Sequence, residues 1–161
     1  MHTLRATSIV LTLGLLLLPA AAANEPAHSE ETAIFAAGDL KWQDGPPSLP
    51  KGAKIAVLEG DPGKEGPFVI RLKFPAGYKV PPHSHPSDEN VTVISGLIQL
   101  AMGDKIEPKQ RDALAAGGYV HMPKGTHHYG LVFQPTVVQV NGAGPFAITY
   151  VNAADDPRKT N

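Results

Sequence analysis

The chain has 161 residues, no cysteine, and 14 basic against 15 acidic side chains, for a formal net charge of −1. That near balance, without a basic cluster, argues against nucleic acid and against an anionic membrane surface as partners. Lack of cysteine excludes disulfides and a lipid-modified cysteine, so stability has to come from packing and, where a site exists, from metal.

At the N-terminus, Arg5 gives a short positive start, residues 9–18 are apolar, and Ala20-Ala21-Ala22-Ala23 offers the small residues a signal peptidase requires. This predicts a secretory signal over residues 1–23 and a periplasmic or extracellular protein. The apolar stretch falls well short of the ~20 residues of a spanning helix. Removing 23 residues from 161 leaves 138, one domain by length; without Arg5, 13 basic residues face 15 acidic ones and the net charge is −2.

Residues 24–40 are polar and Ala-rich without a period, a loosely ordered lead-in. The domain is expected over residues 41–155, with 156–161 as a C-terminal tail. After Pro-rich turns at Gly45-Pro46-Pro47 and Pro50-Lys51-Gly52 come short apolar runs at 54–59, 67–74, 91–95, 97–102, 119–122, 129–133, 136–141 and 146–152. These have strand lengths, are rich in Val, Ile, Phe and Tyr, and have turn residues between them. Only 108–116 looks helical, and it is short. Sixteen Gly and sixteen Pro in this arrangement predict an all-β fold, a sandwich or a barrel.

The chemistry-bearing residues are His83, His85 and Glu89, answered some way downstream by His128. Alternate residues of an extended strand face the same way, so 83, 85 and 89 share a face if the backbone stays extended between them. Three imidazoles and a carboxylate are costly to bury together without a cation. With one, they form a site that leaves positions open for water or substrate. Asp88 is expected to face outward. His127 and His128 are adjacent, so only one of them can face inward, and a bulge at Gly125-Thr126 would exchange them. His121 is expected to be partly exposed. Tyr129, Gln99, Gln139 and Trp42 are candidates for lining a pocket, with sheet packing or an outward strand face the plainer reading of each. Asn90-Val91-Thr92 has the form of a glycosylation sequon, which the bacterial look of the signal argues against.

Gly77, His83, His85, Glu89 and Gly96 together resemble the first motif of the cupin superfamily, and Gly117, Pro123, Gly125 and His128 the second. The second departs at its end, where many members carry Asn and this chain has Val132. The resemblance covers roughly residues 55–151. It implies a small double-sheet β-barrel of the cupin or jelly-roll type, with one divalent ion (Fe, Mn, Zn, Ni or Cu) held by His83, His85, Glu89 and His128 in the mouth. It also implies a single-barrel protein that pairs as a homodimer through N-terminal strands. Two functions fit: a metal-dependent oxidoreductase, dioxygenase-like, acting on a small molecule, or a non-catalytic cupin that binds or senses a small ligand.

Overall fold

A computed structural model describes residues 32–109 and 112–159; the predicted signal segment and residues 24–31 of the lead-in lie outside them. The strands are β1 (Gln43–Asp44), β2 (Lys54–Glu59), β3 (Gly66–Phe74), β4 (Lys79–Ser84), β5 (Glu89–Met102), β6 (Leu114–Ala115), β7 (Tyr119–Met122), β8 (His128–Gly144) and β9 (Thr149–Tyr150). Short 3-10 turns lie at Ala37–Asp39 and Ala153–Asp155. Among the described residues no helix is long and apolar enough to cross a membrane.

The all-β barrel is organised round β8. One of its edges pairs with β4 near its start and with β3 near its end, and the other edge runs along β5, all antiparallel. β1 and β2 extend the sheet beyond β3, β9 lies beyond β4, and β6 and β7 pair with β5. Alternation fixes the register, because Val138 and Val140 of β8 are buried with Val91 and Val93 of β5, while Gln139 and Asn141 face outward. A one-residue slip would exchange those two sets. Phe68, Ile70 and Phe74 of β3 complete the inner packing.

Several expected boundaries differ. Runs 91–95 and 97–102 are one strand, because Gly96 makes a bulge instead of a turn. Its φ is +89°, and a Cβ there would lie 2.3 Å from the carbonyl oxygen of Pro135, so the position requires glycine. Runs 129–133 and 136–141 likewise join as β8. Pro135 falls at the same irregularity, where its missing N–H interrupts no ladder bond. The helical look of 108–116 is not realised at Leu114–Ala115, which pair with β5. Of the run 146–152 only Thr149–Tyr150 is strand, and the segment before it crosses the cavity mouth as irregular chain.

Candidate metal centre

His83 in β4 and His128 at the start of β8 are direct cross-strand partners, which brings their ring centroids to 4.2 Å. His85 follows the end of β4, and Glu89 is the first residue of β5. The extended run expected from 83 to 89 is therefore broken by a bend at residues 86–88. The three groups still converge, because the bend returns the chain along β8. Backbone contacts hold it there: the Gly125 amide donates to the His85 carbonyl at 2.9 Å, and the Lys124 amide donates to Asp88 Oδ1 at 2.8 Å. Asp88 is thus exposed and pins the facing turn.

Each imidazole is oriented from behind. Nδ1 of His83 lies 2.7 Å from the Pro81 carbonyl, Nδ1 of His128 is 2.9 Å from that of Thr126, and Nδ1 of His85 is 2.8 Å from that of Ala147. A carbonyl only accepts, so Nδ1 carries the proton in all three and the Nε2 lone pairs are left to face one another. The candidate ligand nitrogens all lie within 4.8 Å of one another, near the spacing of atoms each about 2.1 Å from a common cation. Glu89 Oε2 is 3.1 Å from His128 Nε2 and 3.5 Å from His85 Nε2. These are approaches of acceptor to acceptor, and His85 Nε2 and Glu89 Oε2 are both buried without a hydrogen-bond partner.

Burial lowers the pKa of two of the rings, His83 and His85. Loss of water, reinforced by His128 and His85, pushes His83 down to about 3, against a small upward pull from its bond to Pro81. His85 is also held below the ordinary imidazole range, chiefly by burial, although Glu89 and the Ala147 carbonyl act the other way. Three buried imidazoles beside an orphaned carboxylate oxygen are the donor set a divalent cation takes, so the residues present fit one.

The cluster opens into a cavity of about 280 Å³ inside the barrel. Its other walls are almost wholly carbon, from residues such as Leu72, Phe74, Val80, Val138 and Ile148, and among the described residues no Lys or Arg lines it. Ser48, Leu49 and Phe146 stand among the lining residues outside the strands, and the Tyr150 hydroxyl donates to the Ser48 carbonyl at 2.7 Å.

The other singled-out residues lie elsewhere. His127 is exposed and its Nδ1 is 2.6 Å from Asp104 Oδ1; His121, also exposed, is 3.0 Å from Asn90 Oδ1. Tyr129 and Gln99 are buried and line a second pocket beside the loop after β5, not the cavity of the histidines; they also hold that loop, the Gln99 amide donating to the Glu107 carbonyl at 3.0 Å and accepting from the Lys109 amide at 2.7 Å. Tyr129 exchanges hydrogen bonds with the backbone of Glu107. Gln139 accepts from Arg71, and Trp42 lies under the Lys73 ammonium. Val132 is a core residue. Sequence reasoning missed Phe146 and Ala147, whose contacts with His85 span some sixty residues; the aromatic within the run 146–152 was the only signal.

A family model described as the ChrR cupin-like domain matches residues 30–147. No curated protein matches the chain in sequence. Among solved structures it is similar to the polyketide cyclase RemF of Streptomyces resistomycificus, at 18% identity over 80% of this chain and 91% of that one, with a TM-score of 0.65. It is also similar to a protein of Methylibium petroleiphilum provisionally assigned as an acetylacetone dioxygenase, at 18% identity over 80% and 88% of the two chains, with a TM-score of 0.58. An RmlC-like cupin of Shewanella frigidimarina is similar at 16% identity over 70% and 90%, with a TM-score of 0.55. Likenesses this distant speak for the fold. With the family model spanning most of the chain and three buried histidines converging inside the barrel, the protein belongs to the ChrR cupin-like family of the cupin superfamily.

Proposed function

We propose that the protein binds one divalent cation through His83, His85, His128 and Glu89 and acts with it, as a metal-dependent oxidoreductase of dioxygenase-like type, on a small, apolar-bodied molecule. The observation that carries the metal is the unpaired state of His85 Nε2 and Glu89 Oε2, buried and aimed at the same point. Without a cation, lone pairs face lone pairs in a site stripped of water. Glu89 enters as the anionic ligand because its Oε2 is the carboxylate oxygen within reach of two imidazoles. Such a cation, when bound, supplies Lewis-acid or redox chemistry.

What the chain's own residues do follows from their placing. The Pro81, Thr126 and Ala147 carbonyls hold three imidazoles in one tautomer, and the carbon walls exclude water. Among the described residues no Lys or Arg lines the cavity to offset a second negative charge on a ligand, which favours an uncharged body. The cavity is at the small end of the ~300–1,000 Å³ of ligand pockets. Metal analysis of the purified protein, paired with oxygen uptake on small apolar diketones and phenols, tests this. Bound iron, manganese or copper with substrate-dependent uptake is expected; a protein that takes up no divalent metal sinks it.

One observation favours a second reading, a binding or sensing role. Among the described residues, no titratable side chain besides the four proposed ligands lines the cavity to serve as a separate acid or base. Zinc alone, with tight ligand binding and no turnover, is its expected signature.

Secretion and pairing complete the proposal. The signal-like residues 1–23 motivate the first, checked by an intact mass beginning near Asn24 in protein from the native host. Ile34 and Phe35, 88% and 48% exposed ahead of the edge strand β1, motivate a homodimer. A monomeric mass in solution at micromolar concentration would remove the second.

A further inference from the structure

The three histidines are not held alike. His83 and His128 are each fixed by a carbonyl two residues earlier in their own chain segment, so any backbone that forms β4 and β8 orients them. His85 lies beyond the end of its strand, and its Nδ1 partner, the Ala147 carbonyl, is 62 residues away. That carbonyl belongs to the irregular segment between β8 and β9, which no ladder holds in place. Contacts at its ends do so: the Phe146 amide donates to the Pro62 carbonyl at 2.7 Å, and Arg158 donates to the Ile148 carbonyl at 3.0 Å.

The Phe146 ring supplies the remaining constraint. It lies flat on the His85 imidazole, with centroids 4.0 Å apart and planes 14° from parallel, and its other neighbour is Phe68 at 5.0 Å. Phe68 is 1% exposed, a fixed part of the core. The core therefore backs Phe146, and Phe146 backs His85. A hydrogen bond at Nδ1 sets the tautomer but leaves the ring able to rock about that bond; a flat neighbour against its face removes the freedom.

We infer that Phe146 is a positioning residue for the metal centre, its ring fixing the plane of His85 so that Nε2 points at the ion. The inference rests on the metal-binding reading above, and the experiment separates the two. The purified chain is stripped of metal and titrated with cobalt(II), whose visible absorption reports ligand geometry. The variants are F146L, which keeps apolar volume without a flat face, and F146Y, which keeps the face. F146L is expected to raise the cobalt Kd by roughly tenfold or more, the usual loss when support of a ligand is removed, and to shift the visible band. F146Y is expected to restore both. In a spectrum that resolves the imidazole nitrogens, F146L is expected to move the His85 signals and leave those of His83 and His128 in place. This readout holds even where F146L costs the metal-free protein some stability.

The inference is overturned if F146L binds cobalt with the affinity and spectrum of the parent, if F146Y fails as badly as F146L, or if all three histidines respond equally. A parent protein that gives no cobalt spectrum at all overturns the metal centre itself, and this inference with it.

Discussion

The inner and outer faces of the β5–β8 region both carry histidines and other polar side chains, but in opposite circumstances, and the neighbours His127 and His128 show it best. His128 faces inward at 2% exposure, its Nε2 near the Glu89 carboxylate. His127 faces outward, paired with Asp104 at 2.6 Å in reach of water. Asn90, Gln139 and His121 on the outer face bond neighbouring side chains or the adjacent backbone, whereas the inner polar atoms His85 Nε2 and Glu89 Oε2 have no such partner. A histidine becomes a ligand candidate through what its free nitrogen lacks, and burial on one face of a strand decides that.

The sharpest way to break this comparison is to truncate the neighbours separately. His128→Ala is expected to raise the metal Kd by more than about 100-fold, since even the loss of a residue supporting a ligand costs up to that much. His83→Ala and His85→Ala should match it, with Glu89→Gln weaker but in the same direction. His127→Ala should bind like the parent. Metal stoichiometry after dialysis reads the whole set; a full site in His128→Ala beside an empty one in His127→Ala would reverse the two faces.

A smaller effect joins the inner face to folding. The proposed ligands come from β4, the residue just after it, β5 and β8, so metal would bind the assembled barrel alone. At free metal 100 times its Kd this adds about 2.7 kcal/mol, on the order of 5–10 °C in Tm for a domain of this size. Calorimetry with chelator and with restored metal should show the difference in the parent and in His127→Ala but not in His128→Ala. Equal melting with and without metal in the parent would mean that the barrel gains nothing from it.

Much of this centre is legible in sequence because its spacing is local. Glycines at 77 and 96, the His83/His85/Glu89 pattern and the Gly125 to His128 turn are each short-range; strand alternation lets only one of His127 and His128 face inward, and the motif resemblance selects His128. The break at residues 86–88 is not legible: alternation counts residues and does not see the Lys124 and Gly125 amides that hold the bend. Nor is the fusion of the paired runs into β5 and β8, since a glycine or proline reads as a turn until a neighbouring strand shows it to be a bulge. Gln99 and Tyr129 were candidates for a pocket and do line one beside the loop after β5, but only the course of that loop reveals that they also hold its backbone.

The pH dependence of the metal-free protein distinguishes the faces by another route. His83 is pushed down to about 3 and His85 also lies below its ordinary value, so an unfolded chain takes up these protons before the folded one does. Stability is then full above the unfolded value of ~6.5 and falls as pH drops from there toward the folded value, by at most about 1.4 kcal/mol per pH unit for each histidine. Urea unfolding with chelator at pH 7 and pH 5 should show the fall, and His83→Ala should flatten it. An unchanged slope in that variant would place the titrating groups elsewhere.

The smallest expected effect belongs to the outer face. Gln99 is 2% exposed and ties down the loop after β5 through the Glu107 carbonyl and the Lys109 amide. Gln99→Leu keeps much of the buried volume but removes both bonds, and each is worth on the order of 1 kcal/mol when the backbone group it leaves can turn to water. Glu107 and Lys109 are exposed, so water can replace the side chain, and the loss should stay near 1–2 kcal/mol. Hydrogen exchange should quicken at the Lys109 amide, while metal affinity stays at the parent value because Gln99 is not among the residues lining the ligand cavity. A Gln99→Leu protein that loses metal would show that the loop reaches the inner site through β5, and the separation of the two faces would fail.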